Sequence, residues 1–374
     1  MRAAEQLVLE EIACPLCGCA RHVRVLTGRD NLCGVAGAFH VVRCVGCRHL
    51  YMNPRPVAGS LAACYPAQYG PHQADPEPPA GVHGADPDGA AGGVVGTVTK
   101  PDNQAKTATV ATRPWYLRWL PLRHIPGLKR VYAWLLDDRS QPLPGASEHR
   151  LVRGLDPDTP LHALELGCAT GRYLQRLERA GWQVRGVELS ESASLRAIAA
   201  GLDVHNGVLE TLAGNDAEFD LAAAWMVLEH VPDVRGTLQE LHRRLRPDGR
   251  LLFSIPNAGC WEPRVFGAAW YVWELPRHLH HFTPGSIRAL LSECGFGEIE
   301  VIHQRTLLNV VGSVGIAILN WRESSGLGTY LKRYPDHPNL LGQLLLAPFA
   351  HLLAWLGQGG RLTVSAIRRQ SVEP

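Results

Sequence analysis

The sequence lacks an excess of charge of either sign: Lys plus Arg number 37 and Asp plus Glu 35, a net of +2. That balance excludes a chain built mainly to coat nucleic acid, which needs a strong basic surplus. The opening residues carry acids early and lack an apolar stretch closed by small residues. No secretory signal is read there, and a cytoplasmic location is expected. Residues 71–112 contain no aromatic residue and no Leu, Ile or Met. Such a segment buries too little apolar surface to offset the entropy of ordering it, so a flexible linker or insertion is expected. No internal repeat is present.

Apolar residues nevertheless make up 46% of 374 residues, enough for a sizeable core in two or three domains. The expected organisation is a small ribbon over 1–70, the linker over 71–112 and a helical lead-in over 113–150. An α/β domain follows over 151–374, with an apolar helical insertion at 304–360. From residue 160 onward, short apolar runs alternate with helical stretches. Strands are expected at 161–166, 182–189, 203–208, 219–226, 249–255, 297–303 and 361–369, and helices at 171–180, 191–200, 234–245 and 284–295. This alternation predicts a doubly wound, mostly parallel sheet. Residues 338–360 hold no Asp, Glu, Lys or Arg. Their apolar run is interrupted short of the ~20 residues of a membrane span. A buried helical pair is the expectation there, with contact of 306–356 with a membrane surface as the alternative.

Seven of the 10 cysteines fall in residues 1–70. Cys14 and Cys17 form one C-x-x-C and Cys44 and Cys47 another, with Gly18 and Gly46 at the turns. In a reducing compartment two such knuckles read as four thiolates around one Zn²⁺. Four thiolates close the coordination shell, so the metal is expected to be structural. Cys19, Cys33 and Cys64 are left over.

The run Glu165-Leu166-Gly167-Cys168-Ala169-Thr170-Gly171 follows an apolar strand and opens a helix. Glycines there let the backbone turn tightly against a ligand. Glu188 ends the next strand about 20 residues later, the spacing for a carboxylate that accepts ribose hydroxyls. The loop is not G-x-G-x-x-G, and the acid at Glu165 would repel a pyrophosphate and suit an ammonium group.

These residues resemble the class I S-adenosylmethionine-dependent methyltransferases. ELGCATG resembles that family's first motif, with Ala169 where many members have a middle glycine, and Glu188 resembles its ribose acid. Phe219-Asp220 with Val227-Leu228-Glu229-His230-Val231 resembles the fourth-strand motif, and Leu245 through Leu251 the turn before the fifth strand. Arg277-His278-Leu279-His280-His281-Phe282-Thr283, with Leu290-Leu291 and Cys294-Gly295-Phe296, resembles one branch that often carries a cysteine-pair ribbon. The resemblance implies a seven-stranded sheet with a reversed last strand, which 361–369 would supply. It implies S-adenosyl-L-methionine as cofactor. The candidate binding residues are Glu165, Gly167, Cys168, Ala169, Gly171, Glu188, Leu209, Met226, Glu229 and His230.

Methyl transfer to a hydroxyl needs alignment and, near neutral pH, a general base, for which histidine is suited. His278 is the first candidate and His280 the second. Trp261, Trp270, Tyr271 and Trp273 precede them, as a sugar, aromatic-ring or isoprenoid platform or as the packing residues of a lid. The expected activity is methylation of a hydroxyl on a small or lipid-linked acceptor, such as a saccharide. C-methylation of a nucleotide-linked sugar and a non-catalytic zinc-ribbon adaptor are the alternatives, and nucleic acid is not an expected partner.

Overall fold

The computed structural model describes residues 7–65, 140–156, 158–214 and 216–369. All belong to one of two compact units of the chain. The expected linker at 71–112 and the lead-in up to residue 139 lie outside the described residues.

The N-terminal part is a small antiparallel unit: β1 (Leu9–Glu10), β2 (His22–Gly28), β3 (Phe39–Cys44), β4 (Leu50–Met52) and β5 (Arg55–Pro56). After α1 (Ala146–Arg153) the chain alternates. It runs β6 (His162–Leu166), α2 (Arg172–Arg179), β7 (Gln183–Glu188), α3 (Glu191–Ala199), β8 (Val204–Asn206), β9 (Phe219–Trp225), α4 (Val234–Arg244) and β10 (Leu245–Pro256). Then come α5 (Glu262–Phe266), β11 (His280–His281), α6 (Pro284–Glu293) and β12 (Phe296–His303). The helices α7 (Leu308–Trp321), α8 (Gly326–Arg333) and α9 (Leu340–Trp355) precede β13 (Arg361–Arg368).

Seven strands form one sheet in the order β12-β13-β10-β9-β6-β7-β8. β6 pairs in parallel with β7 and β9, whereas β13 is antiparallel to both of its neighbours. This is the expected sheet with its reversed last strand. β9 reads FDLAAAW with every residue buried, as a central parallel strand covered on both faces requires. Side-chain caps start the helices that follow the strands: Ser190 for α3, Asp233 for α4 and a Thr283–Ser286 capping box for α6. The strand order reverses between β6 and β9, so the ligand crevice of such a sheet lies at the carboxyl ends of these strands.

Three features differ from the expectations. The Pro247-Asp248-Gly249 turn does not precede a strand. It is an irregularity inside β10, with Asp248 at φ 60° and a register shift between Leu245 and Arg250. The insertion forms three helices, not a buried pair. Leu341, Leu345, Phe349, Leu352 and Leu356 follow one face of α9 and its end, each more than half exposed. The apolar composition of the stretch marks it as a helix to be covered, and composition alone does not say by what. No helix among the described residues is long and apolar enough to cross a membrane.

The third difference is the ribbon's attachment. β11 pairs antiparallel with β4, His280 opposite Tyr51 and His281 opposite Leu50, so the α/β part adds a strand to the ribbon sheet. Cys14, Leu16, Val42, Cys44 and Tyr51 pack in the same apolar cluster as residues of β9, β10, α4 and α6. Asp30 and Arg277, both fully buried, form a two-pronged ion pair with both distances 2.9 Å.

Candidate functional site

The loop after β6 is shaped by backbone needs. Gly167 and Gly171 stand at φ 69° and 80°. A Cβ would lie 2.5 Å from Val227 Cγ2 at the first and 2.1 Å from Leu202 Cδ1 at the second. Neither position admits a side chain without displacement. Ala169 also adopts a left-handed φ of 47°, so the conformation of a middle glycine is kept at a strain of roughly 1 kcal/mol. Cys168 is buried with Leu174 and Leu202 behind the loop.

Glu188 holds this loop in place. Its Oε2 accepts from Ala169 N at 2.8 Å and its Oε1 from Ser190 N at 2.7 Å. Each oxygen retains a lone pair for a ribose hydroxyl. Glu165 is 3% exposed, and its Oε2 has no hydrogen-bond partner among the described residues. Burial, with the charge of Glu188 adding to it, pushes its carboxyl up to about 8. A buried carboxyl with one oxygen unpartnered among the described residues, beside a cradle that admits no Cβ, fits a ligand bearing an ammonium group on an adenosine. The residues present therefore fit S-adenosylmethionine. Met226, at φ 56°, follows β9, and its N–H donates to Ser254 O at 3.0 Å. Leu209 is 2% exposed within the main apolar cluster, so its first role is packing.

Beyond β9 the second half of the site forms. Glu229, His230 and His278 each bring a donor atom within 4.8 Å of the others. Glu229 is fully buried, both carboxyl oxygens lack partners among the described residues, and burial pushes it up to about 8. His230 Nδ1 lies 3.0 Å from the Tyr65 hydroxyl and 3.2 Å from Arg277 O. Tyr65 was not a sequence candidate, because nothing near it in the chain marks it.

His278 Nδ1 lies 2.9 Å from Val272 O. A carbonyl can only accept, so Nδ1 carries the proton and Nε2 the lone pair. Burial holds its imidazolium form well below the usual range, as do the charges of His230 and Arg277. The ring is therefore neutral at neutral pH with one basic nitrogen free of protons. That nitrogen stands 3.3 Å from Glu274 Oε2, whose carboxylate can stabilise an imidazolium once formed.

His280 is placed differently, which corrects the second candidate. Its Nε2 lies 2.9 Å from Val231 O and its Nδ1 3.4 Å from His49 Nε2. The carbonyl fixes Nε2 as donor, so Nδ1 accepts from His49. Both nitrogens are engaged in bracing the ribbon, and none is left to take a proton. The aromatic cluster also resolves. Trp270 and Trp273 are 1% and 3% exposed and pack on Phe39, Val41 and Met52 of the ribbon. They are packing residues, and no open platform forms from them.

The cysteine knuckles have matching geometry. Gly18 N donates to Cys14 O at 2.8 Å and Arg48 N to Cys44 O at 3.1 Å, and both Gly18 and Arg48 are left-handed. Cys14 and Cys47 sulfurs are 3.5 Å apart, as are those of Cys17 and Cys44, and all four lie within 4.8 Å. A tetrahedron with Zn–S bonds of 2.3 Å has edges of about 3.8 Å, so this donor set fits one zinc ion. Cys19, Cys33 and Cys64 stand outside it.

Residues 144–301 match the family described as a methyltransferase domain. A ubiquinone biosynthesis O-methyltransferase of Maricaulis maris is 31% identical over 161 residues, 40% of this chain and 63% of that protein. One of Paracidovorax citrulli is 30% identical over 162 residues, 40% of this chain and 68% of that protein. The chain thus spans 63% to 68% of the length of these two relatives. Among solved structures, an S-adenosylmethionine-dependent methyltransferase of Mesorhizobium loti is 23% identical at a TM-score of 0.38, covering 60% of this chain and 99% of that one.

Proposed function

From the premise that this chain belongs to the S-adenosylmethionine-dependent methyltransferase family, we propose that it methylates a hydroxyl group of a small acceptor. The single observation that carries the choice of a hydroxyl is His278: a neutral imidazole with its tautomer set by Val272 O and its free nitrogen facing Glu274. The relatives named as O-methyltransferases support the same reading.

S-adenosylmethionine, when bound, would supply an activated methyl group for displacement from its sulfonium sulfur by the acceptor oxygen. The chain's residues do the rest. Glu165 would meet the ammonium group and Glu188 the ribose, on a loop whose tight turn Gly167 and Gly171 permit against Val227 and Leu202. His278 Nε2 receives the hydroxyl proton, and Glu274 stabilises the resulting imidazolium. Holding the acceptor oxygen in line supplies several kcal/mol through orientation alone. Replacing His278 by Ala should lower turnover roughly 10²–10⁴-fold with affinity for S-adenosylhomocysteine intact. Unchanged turnover removes His278 as base, and a new methyl on carbon in the product's NMR spectrum replaces O- by C-methylation.

The four-cysteine set is proposed to hold a structural zinc ion; metal analysis finding far less than one zinc per chain would refute it. The exposed stripe of α9 supports a lipid-linked acceptor and contact with a membrane surface, since an uncharged face carrying Leu345, Phe349 and Leu352 suits the headgroup boundary. Failure to float with phosphatidylcholine vesicles would count against that contact. With Trp270 and Trp273 buried, a saccharide acceptor loses its aromatic platform.

A further inference from the structure

β13 begins at the carboxyl edge of the sheet, with Arg361 opposite Pro256 at the end of β10. Arg361 Nε donates to Asn309 Oδ1 at 3.0 Å. Asn309 is 1% exposed and is tied in turn by Nδ2 to Gly360 O at 3.4 Å. The guanidinium is thus held by its inner nitrogen. Its two terminal nitrogens make no hydrogen bond or ion pair with any described residue. Gly360, just before Arg361, lies against Glu262, where a Cβ would stand 2.2 Å from Oε1, and the charge of Arg361 acts on Glu229, Glu262, Tyr271, His278 and Asp336. These come from the segment after β9, from α5, from the loop before β11 and from the turn before α9, so the cation stands among the groups of the acceptor side.

Three of those neighbours are acids, which in ionised form would repel an anion. Burial changes their character. Glu229 is pushed up to about 8 and Glu262 to about 7, and Asp336 is raised as well, in each case mainly by desolvation. Near neutral pH Glu229 is therefore protonated and Glu262 partly so. Glu262 Oε2 accepts from Trp270 Nε1 at 2.7 Å, while Glu262 Oε1 and both oxygens of Glu229 are buried without partners among the described residues. A protonated carboxyl donates a hydrogen bond. The region thus combines a cation anchored on its inner side with carboxyl groups able to donate, a donor-rich set on the acceptor side of the sheet.

We propose that Arg361 is an anion clamp: the methyl acceptor carries a phosphate or carboxylate that spans the terminal guanidinium nitrogens while its hydroxyl faces His278. Planar, two-pronged recognition of either anion is what a guanidinium does best. The clamp rests on the reading of the His278 side as the acceptor site. It also couples to the chemistry there. The positive charge of Arg361 disfavours the imidazolium of His278, and an anion seated on Arg361 cancels part of that effect, easing proton uptake when the right acceptor is bound.

The test uses the full-length, zinc-loaded chain saturated with S-adenosylhomocysteine, titrated with inorganic phosphate and separately with acetate by calorimetry. Saturable binding of at least one anion is expected. Arg361→Ala should weaken it by roughly tenfold or more, with Arg361→Lys between. If the Ala variant does not fold, Arg361→Gln keeps a donor for Asn309 and removes the charge. No saturable binding to the wild-type chain, or equal binding by Arg361→Ala or Arg361→Gln, overturns the clamp. Vesicles of phosphatidylcholine with phosphatidic acid separate a lipid phosphate from a free one: binding to them that is lost with Arg361 places the anion on a lipid, and phosphate binding without it places the anion on a free acceptor. The same titrations report on the cofactor. Anion binding that persists in a chain with no affinity for S-adenosylhomocysteine breaks the methyltransferase reading and keeps the clamp, and the reverse result breaks the clamp alone.

Discussion

Replacing Asp30 by Ala should cost this protein a large share of its stability. Both prongs of Asp30 meet Arg277 at 2.9 Å, with neither side chain exposed. The same carboxylate accepts from Leu32 N at 2.9 Å and from Cys33 N and Val35 N at 3.0 Å. Removing it strands a buried guanidinium, a loss of about 3–5 kcal/mol, and leaves three amides unpaired. Cys64 O at 3.1 Å and Glu274 Oε1 at 3.2 Å still contact Arg277 and offset the loss of the amide partners, which keeps the total near the middle of that range. The expected figure is about 4 kcal/mol, against a total stability of roughly 5–15 kcal/mol. Arg277→Ala should cost less, because Asp30 keeps its three amide bonds. Urea unfolding followed by tryptophan fluorescence reads the effect, since Trp270 and Trp273 pack on the ribbon beside this pair.

The pH dependence has a definite sign. Burial alone would raise the carboxyl of Asp30, but the hydrogen bonds and charge of Arg277, with the amides of Cys33 and Val35, outweigh it and hold the group below the ordinary value. A depressed folded-state value means that the contribution is complete above the unfolded value near 4 and fades as pH falls through the folded one. Asp30→Ala should therefore flatten the acid limb of the stability profile. A double-mutant coupling of Asp30 and Arg277 below about 1 kcal/mol, with an unchanged acid limb, would refute the reasoning.

Two further outcomes follow from the cofactor side. Gly171→Ala brings a Cβ to 2.1 Å from Leu202 Cδ1 at a φ of 80°; strain and overpacking together should cost about 2–5 kcal/mol and weaken S-adenosylhomocysteine binding, and a variant as stable as wild type would contradict the loop's role. Glu165 has a folded-state value of about 8, above the unfolded one, so it destabilises the ligand-free protein as pH rises from about 4 toward 8. Pairing with the ligand's ammonium group ionises it, so S-adenosylhomocysteine binding at pH 7 should release close to one proton, visible as a dependence of calorimetric heat on the buffer; buffer-independent heat would remove Glu165 as the ammonium partner.

The sheet was legible because its signals are local. Apolar runs such as 219–226 and helix starts such as Asp233 and Thr283 lie within a few residues of what they specify. The loop from Glu165 to Gly171 and the partner Glu188 were legible for the same reason. What stayed hidden depends on contacts distant in the chain. β11 has two residues, and its partner β4 precedes it by more than two hundred positions, so no local pattern marks His280 as a brace for His49. The HLHHF run looked like a row of bases, yet the backbone carbonyls at Val272 and Val231 decide which ring nitrogen is free. Tyr65, Glu274 and Arg361 drew no attention because a lone Tyr, Glu or Arg carries no spacing signal. Arg361 could have been flagged only by its place at the start of the reversed strand.

The central claim is that the loop after β6 and Glu188 bind S-adenosylmethionine. Isothermal titration of the full-length, zinc-loaded chain with S-adenosylhomocysteine tests it most directly. One site per chain with saturable heat is the predicted result. A folded chain that gives no heat and shows no competition from S-adenosylmethionine would contradict the account.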